Sequence, residues 1–294
     1  MSSRLKNIFN KVSRFLFFLI VTIAAIFIID DYLYYNYDYS LFYGNMSSSY
    51  EEAETEDAGD DVCNVYGMEL RGDVTTYIAA DNLAADGSQL YDETASEYII
   101  AMIDEAEASV ETKAIILEID SYGGNPVAAE EIASALKRAK KPTVAFVRTG
   151  ALSAAYWAAS GADKIFASEI SDIGSIGVTF SYLDKVKQNE REGLTYNALS
   201  TGLYKDYGDP DKPLTPQERE LIMRDLNIIH EHFIKSVAEN RGLAVDKVKD
   251  LADGSSMPGS LALKEGLIDR IGDYYDVQDY LSELLNEKAE VCWY

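Results

Sequence analysis

Thr149-Gly150-Ala151-Leu152-Ser153-Ala154-Ala155-Tyr156-Trp157-Ala158-Ala159-Ser160-Gly161-Ala162-Asp163-Lys164-Ile165 is the stretch whose reading decides the fold. Just upstream, Pro142–Val147 is an apolar run of strand length, which predicts a strand buried on both faces. It runs into a turn at Thr149-Gly150. Small residues then open a short helix, with Ser153 at its start. A hydroxyl there can cap the helix, or it can face the electropositive helix end where an oxyanion would be held.

Outward from this stretch the same pattern recurs. Ala114–Ile119 predicts a buried strand ending in Asp120-Ser121-Tyr122-Gly123-Gly124-Asn125-Pro126, with a helix starting near Pro126. Lys164–Ala167 predicts another strand. Asp172-Ile173-Gly174-Ser175-Ile176-Gly177-Val178 predicts a turn leading to one more. Val65–Leu70 and Thr75–Ala79 read as strands around Arg71-Gly72-Asp73. Thr94-Ala95-Ser96-Glu97 reads as a capping box opening a helix to about Ser109. Strand and helix in alternation, with right-handed crossovers, is an α/β plan. Ligand sites in such plans gather where strands end and helices begin. Three small-residue junctions fall there: Gly123-Gly124, Ser153-Ala154 and Gly174-Ser175.

Further along, a helix is expected around Leu183–Glu192 and a strand around Tyr196–Leu199, followed by a polar, aromatic loop over Ser200–Pro210. Thr215-Pro216-Gln217-Glu218 supplies an N-cap, a proline at N1 and a glutamate at N3. Ile222, Leu226, Ile229, Phe233 and Val237 keep helical spacing as far as Arg241-Gly242. Smaller helices are expected at Lys247–Ala252, Ser260–Glu265 and Val277–Leu285, with a strand at Leu267–Ile271.

Residues 1–14 form a basic end carrying Arg4, Lys6, Lys11 and Arg14. Phe15–Ile29 is apolar apart from Thr22, about 22 Å as a helix, and extends through Tyr32-Leu33. No small-x-small cleavage site follows, and six tyrosines lie between Tyr32 and Tyr43. These features predict a single-pass anchor over 15–33, its basic end cytoplasmic and the body on the other side of the cell membrane. Residues 34–61 are a tyrosine-rich, then acidic linker; Ser47–Asp61 holds seven acids and no apolar run. The folded domain is expected over 62–294.

A net charge of −24 argues against nucleic acid as a partner, since phosphates would be repelled. Cys63 and Cys292 bracket the predicted domain without metal-type spacing. A disulfide between them is an open alternative in an oxidising compartment. His230 and His232 point about 160° apart on one helix, so they cannot share a metal. Both read as solvated or boundary histidines, and no metal or cofactor is expected. No G-x-S-x-G elbow is present, and a Ser-His-Asp triad is not predicted. A serine nucleophile can instead use lysine, whose pKa must then fall from about 10.4. Spacing alone does not choose the lysine. Lys164 is near Ser153 in sequence but marks a strand start, whereas Lys205 lies among tyrosines that can desolvate it.

Together these motifs resemble the signal peptide peptidase A family, membrane-anchored Ser/Lys proteases of the ClpP/crotonase-like fold, in its short bacterial-type form. The resemblance runs from about Val65 to Leu285. Asp120-Ser121-Tyr122-Gly123-Gly124 resembles the family's D/N-S-P-G-G turn. Leu152-Ser153-Ala154-Ala155-Tyr156-Trp157 through Ala162-Asp163-Lys164-Ile165 resembles A-S-G-G-Y-Y-x-A…A-D-K-I. Ile173-Gly174-Ser175-Ile176-Gly177-Val178 is similar to T-G-S-I-G-V. The stretch from Ser200 through Tyr204-Lys205-Asp206 to Pro210, then Pro213-Leu214-Thr215 and Glu218-Arg219, resembles K-S-G-x-Y-K-D-x-G-S-P followed by P-L-T-x-x-E-R.

The resemblance implies Ser153 as nucleophile, Lys205 as general base and Ser175 as the hydroxyl orienting that lysine. It implies oxyanion donors from Gly123, Gly124 and Ala154. It also implies peptide substrates such as remnant signal peptides, membrane lipid around the anchor, and a homo-oligomer in which serine and lysine come from neighbouring protomers. Tyr122 stands where the family has proline, Ala154-Ala155 where it has Gly-Gly, and Thr201 and Asp209 where it has serines. If the turn after Ser153 needs positive φ, alanine costs about 1 kcal/mol or more there. The missing glycines would suit a non-catalytic, membrane-tethered binding protein of the same fold. A crotonase-type acyl-CoA enzyme would be expected as a soluble chain, against the apolar segment.

Overall fold

Alternate residues of a strand face opposite sides of its sheet, and this chain fills both sides. In β3 (Ala114–Gly124), Ile115, Leu117 and Ile119 enter one apolar cluster while Ala114 and Ile116 enter another. In β4 (Thr143–Leu152), Ala145 and Val147 enter the first, Val144 and Phe146 the second. Both strands therefore read as continuous apolar runs in the sequence. The computed structural model describes residues 63–83 and 89–294.

The sheet runs β2 (Glu93–Ala95), β1 (Val65–Thr75), β3, β4, β5 (Lys164–Ala167), β8 (Arg270–Ile271). All of these neighbours pair in parallel. Beyond β5 along β4, β6 (Asp172–Gly174) pairs with Gly150–Leu152, and β7 (Ser256–Pro258) pairs antiparallel with β6. The first cluster is covered by α1 (Ser96–Ala108), α2 (Pro126–Arg138), α3 (Ala154–Ser160) and the carboxyl half of α5 (Pro216–Arg241). α8 (Tyr274–Leu285) covers the second through Val277 and Leu281. Three further helices are α4 (Val186–Glu192), α6 (Val245–Leu251) and α7 (Gly259–Glu265).

Several local expectations are corrected. The strand expected at Val65–Leu70 runs on through Arg71-Gly72-Asp73 to Thr75 as β1, and the separate strand expected at Thr75–Ala79 does not form. Gly72, at φ +64°, absorbs a register shift between Arg71 and Asp73, and a Cβ there would lie 2.0 Å from the Asp92 carbonyl oxygen. Thr94 is not a cap. Its hydroxyl accepts from Arg71 N–H at 2.9 Å and donates to the Arg71 carbonyl at 2.8 Å, clamping β2 to β1. α1 starts after Ala95 without a side-chain cap.

Neither the strand expected after Val178 nor the one at Tyr196–Leu199 forms, and α4 starts at Val186 and buries none of its residues. The physical reason is a lack of anything to cover them. Leu199 is 98 % exposed, and Leu183 and Leu203 are similarly bare. The capping box of α5 is present as expected. Thr215 Oγ1 accepts from Glu218 N–H at 3.2 Å, and Glu218 Oε2 accepts from Thr215 N–H at 2.9 Å.

The open question about the cysteines is answered: Cys63 and Cys292 form a disulfide, their Cα atoms 5.7 Å apart. β9 (Val291–Trp293) lies alongside as a parallel partner of Val65–Gly67. Among the described residues no helix is long and apolar enough to cross a membrane. The expected basic end, anchor and linker over 1–61 lie outside the described residues.

Candidate active site

Three strand ends converge on one cavity of about 590 Å³. β3 delivers Gly124 and the exposed Tyr122, β4 delivers Ser153, and β6 delivers Ser175. These are the three junctions marked in the sequence. Trp157 and Phe233 form part of the wall, stacked with ring centroids 4.6 Å apart.

Ser153 has φ 52° and ψ −122°, a conformation costly for a residue with a Cβ. Two bonds hold it there. Its N–H donates to the Gly174 carbonyl at 2.8 Å, and its own carbonyl accepts from Trp157 N–H at 3.0 Å. Its hydroxyl does not cap α3 and lines the cavity instead. A sharp strand-to-helix elbow thus exists without the G-x-S-x-G spelling. The positive φ falls on Ser153 itself. Ala154 and Ala155 are helical and buried, so the penalty expected for replacing glycine does not arise.

The glycine turn packs directly on this elbow. Gly123 has φ +118°, and a Cβ there would lie 2.9 Å from Ser153 Cβ and 3.2 Å from Ala154 N. Gly124, at φ +152°, would drive a Cβ to 2.2 Å from the Val74 carbonyl oxygen. Ser121 fixes the turn. Its hydroxyl donates to the Gly72 carbonyl at 2.6 Å and accepts from Gly123 N–H at 3.1 Å. Ala154 N–H is the first of α3 and has no acceptor within the helix, so it is available to an oxyanion.

Ser175 also has positive φ, 49°. Its N–H donates to the Ser255 carbonyl and its hydroxyl to the Gly254 carbonyl, both at 3.0 Å. The hydroxyl oxygen therefore keeps lone pairs for a donor from the cavity. Asp253 stands nearby, its carboxyl held below the usual value by hydrogen bonds from the Ser255 hydroxyl and N–H.

Lys205 is not brought to this cavity. It lies in the turn over 201–208, exposed, its N–H donating to the Gly202 carbonyl at 3.1 Å. The structure thus gathers Gly123, Gly124, Ser153, Ala154 and Ser175, and leaves Lys205 outside. The sequence reading missed His230, which lines the cavity with Nε2 buried and without a hydrogen-bond partner among the described residues. Its helical position was visible; which neighbours enclose it depends on how α5 docks. His232 instead meets Glu130 at 2.8 Å and the edge of Trp157.

The model of the family described as Peptidase family S49 matches residues 135–288, more than half of the chain and a span holding both Ser153 and Lys205. A putative protease of Methanocaldococcus jannaschii is 33 % identical over 193 residues, which are 65 % of this chain and 62 % of that protein. A putative signal peptide peptidase of Enterococcus faecium is 33 % identical over 174 residues, 58 % of this chain and 51 % of that one. The chain therefore spans less than two thirds of these relatives' lengths. The solved structure of a membrane-bound stomatin-specific protease shares the fold, with a TM-score of 0.50 and 18 % identity over 78 % of this chain and 96 % of the other.

Proposed function

The chain belongs to peptidase family S49, and from that premise we propose that it is a serine endopeptidase using Ser153 as nucleophile and Lys205 of a neighbouring protomer as general base. The observation that carries this reading is the elbow. A serine held at positive φ, hydroxyl in a cavity and a glycine turn against its Cβ, is strain spent on presenting an oxygen.

In this mechanism neutral Lys205 removes the Ser153 proton as Oγ attacks a peptide carbonyl carbon. The carbonyl oxygen becomes an oxyanion facing Ala154 N–H, at the elbow on which the Gly123-Gly124 turn packs. Collapse breaks the C–N bond, and the lysine ammonium protonates the departing amine. Water, deprotonated by the same lysine, then releases the acyl group from Oγ. Ser175 orients the lysine. A lysine from a second subunit accords with the exposed position of Lys205. The core is of the ClpP/crotonase-like kind in this reading, and the substrates are extended or unfolded peptides such as remnant signal peptides. The apolar run over 15–33 anchors the chain in the cell membrane, with the peptidase domain extracytoplasmic. The Cys63–Cys292 disulfide suits that compartment.

The test is covalent labelling of the full chain by a serine-directed fluorophosphonate, mapped by peptide mass. Label on Ser153, absent from Ser153→Ala and strongly slowed in Lys205→Ala but not in Lys164→Ala, supports the assignment. Equal labelling in all three variants overturns it.

A further inference from the structure

Lysine is a general base only while neutral, yet Asp206, Asp209 and Asp211 follow Lys205 closely in the chain. Carboxylates that near would hold an ammonium charged. Each is engaged elsewhere. Asp206 Oδ1 accepts from Lys212 Nζ at 2.9 Å, and its Oδ2 accepts from the Tyr196 hydroxyl at 3.4 Å. Asp209 accepts from the Tyr196 hydroxyl at 3.2 Å and from Asp211 N–H at 2.9 Å. Asp211 accepts from Asn189 Nδ2 at 2.9 Å. Lys212 Nζ also donates to Glu218 Oε1 at 2.6 Å, while Glu218 Oε2 closes the capping box of α5. The brace is shielded: the Lys212 side chain is 19 % exposed and that of Glu218 4 %.

Two lysines seven residues apart thus have opposite surroundings. Lys212 holds two carboxylates, and Lys205, exposed, forms no ion pair among the described residues. Hydrogen bonds from Lys212 to Glu218 and Asp206 push its pKa above the ordinary lysine value, and the same bond to Lys212 lowers that of Glu218.

We infer that Lys212 is a positioning residue for the reaction: by engaging Asp206 and Glu218 it pins the Lys205 loop to the start of α5 and withholds from Lys205 the carboxylate that would keep it protonated. This rests on Lys205 being the general base. The other titratable groups tied to the brace are Tyr196, whose hydroxyl donates to both Asp206 and Asp209, and Asp211, whose N–H donates to Asp209.

The test is the pH dependence of kcat and KM for the full chain in detergent, cleaving a self-quenched, unfolded casein. Activity rises as the base loses its proton, so that limb reports Lys205. Lys212→Met is expected to move it upward by about one pH unit, with about tenfold slower turnover at neutral pH, recovery at higher pH and unchanged KM. Lys212→Arg should keep the wild-type limb, and adding Asp206→Asn to Lys212→Met should restore it. A uniform loss at every pH, or an unmoved limb, overturns the inference. Should Lys212→Met not fold, Tyr196→Phe serves, with a smaller upward displacement expected and an unmoved limb again adverse. Full activity in Lys205→Ala would sink the underlying dyad, and this inference with it. An inactive Lys205→Ala beside an unmoved Lys212→Met limb sinks this inference alone.

Discussion

The serine-bearing and lysine-bearing parts of this chain are built differently. Ser153 sits between a strand buried on both faces and a helix buried along its whole length. Lys205 sits in a stretch, from 179 to 212, whose regular structure is one short helix burying nothing. The serine's surroundings are finished by the fold of a single chain. The lysine's surroundings carry bare leucines at 183, 199 and 203.

The sharpest way to break this contrast is through activity. Ser153→Ala and Lys205→Ala should each lower kcat/KM by about 10³-fold or more. Mixed in equal amounts before assembly, the two dead variants should recover roughly a quarter of wild-type activity if each site joins two protomers. No recovery would mean that one chain supplies both groups. Stability gives the next largest effect. Trp157→Ala should cost about 3–5 kcal/mol in denaturant unfolding, because it empties a stacked, buried site. Leu203→Ala should change the monomer by less than about 0.5 kcal/mol, yet weaken assembly in sedimentation. Equal costs at both positions would erase the distinction.

The elbow itself offers a smaller and more pointed test. Ser153→Gly should abolish cleavage while raising stability by about 1 kcal/mol, since glycine accepts φ 52° freely. A drop in Tm would show that the elbow is not strained. The smallest effect concerns acid. Burial would raise the Asp269 carboxyl, but Arg241 at 2.6 Å, together with Ile165 N–H and Lys164, holds it below the ordinary 3.8. A lowered native pKa stabilises above the unfolded-state value and is lost as pH falls through the native one. Tm should therefore fall more steeply below about pH 4 in the wild type than in Asp269→Asn. Parallel curves would assign Asp269 no such role.

How far the sequence could be read follows the same division. Continuous apolar runs marked β3, β4 and β5, and small residues marked the three junctions, because burial and close backbone approach leave local traces. The capping box of α5 was equally local. Tyr196–Leu199 misled because an apolar-aromatic run predicts a strand only when a sheet edge receives it. Thr94 misled because its hydroxyl found Arg71 across the sheet rather than its own helix. Ser121 on the glycine turn, His230 in the cavity and Lys212 against Asp206 and Glu218 are pairings between segments, and spacing along one chain does not encode them.

The bond between Cys63 and Cys292 spans 229 positions and nearly the whole described body. A backbone cut anywhere inside that loop yields two fragments that stay one covalent object until a reductant arrives. A cut within the exposed 179–212 stretch would thus shed neither piece, and the wound would show only on a reducing gel.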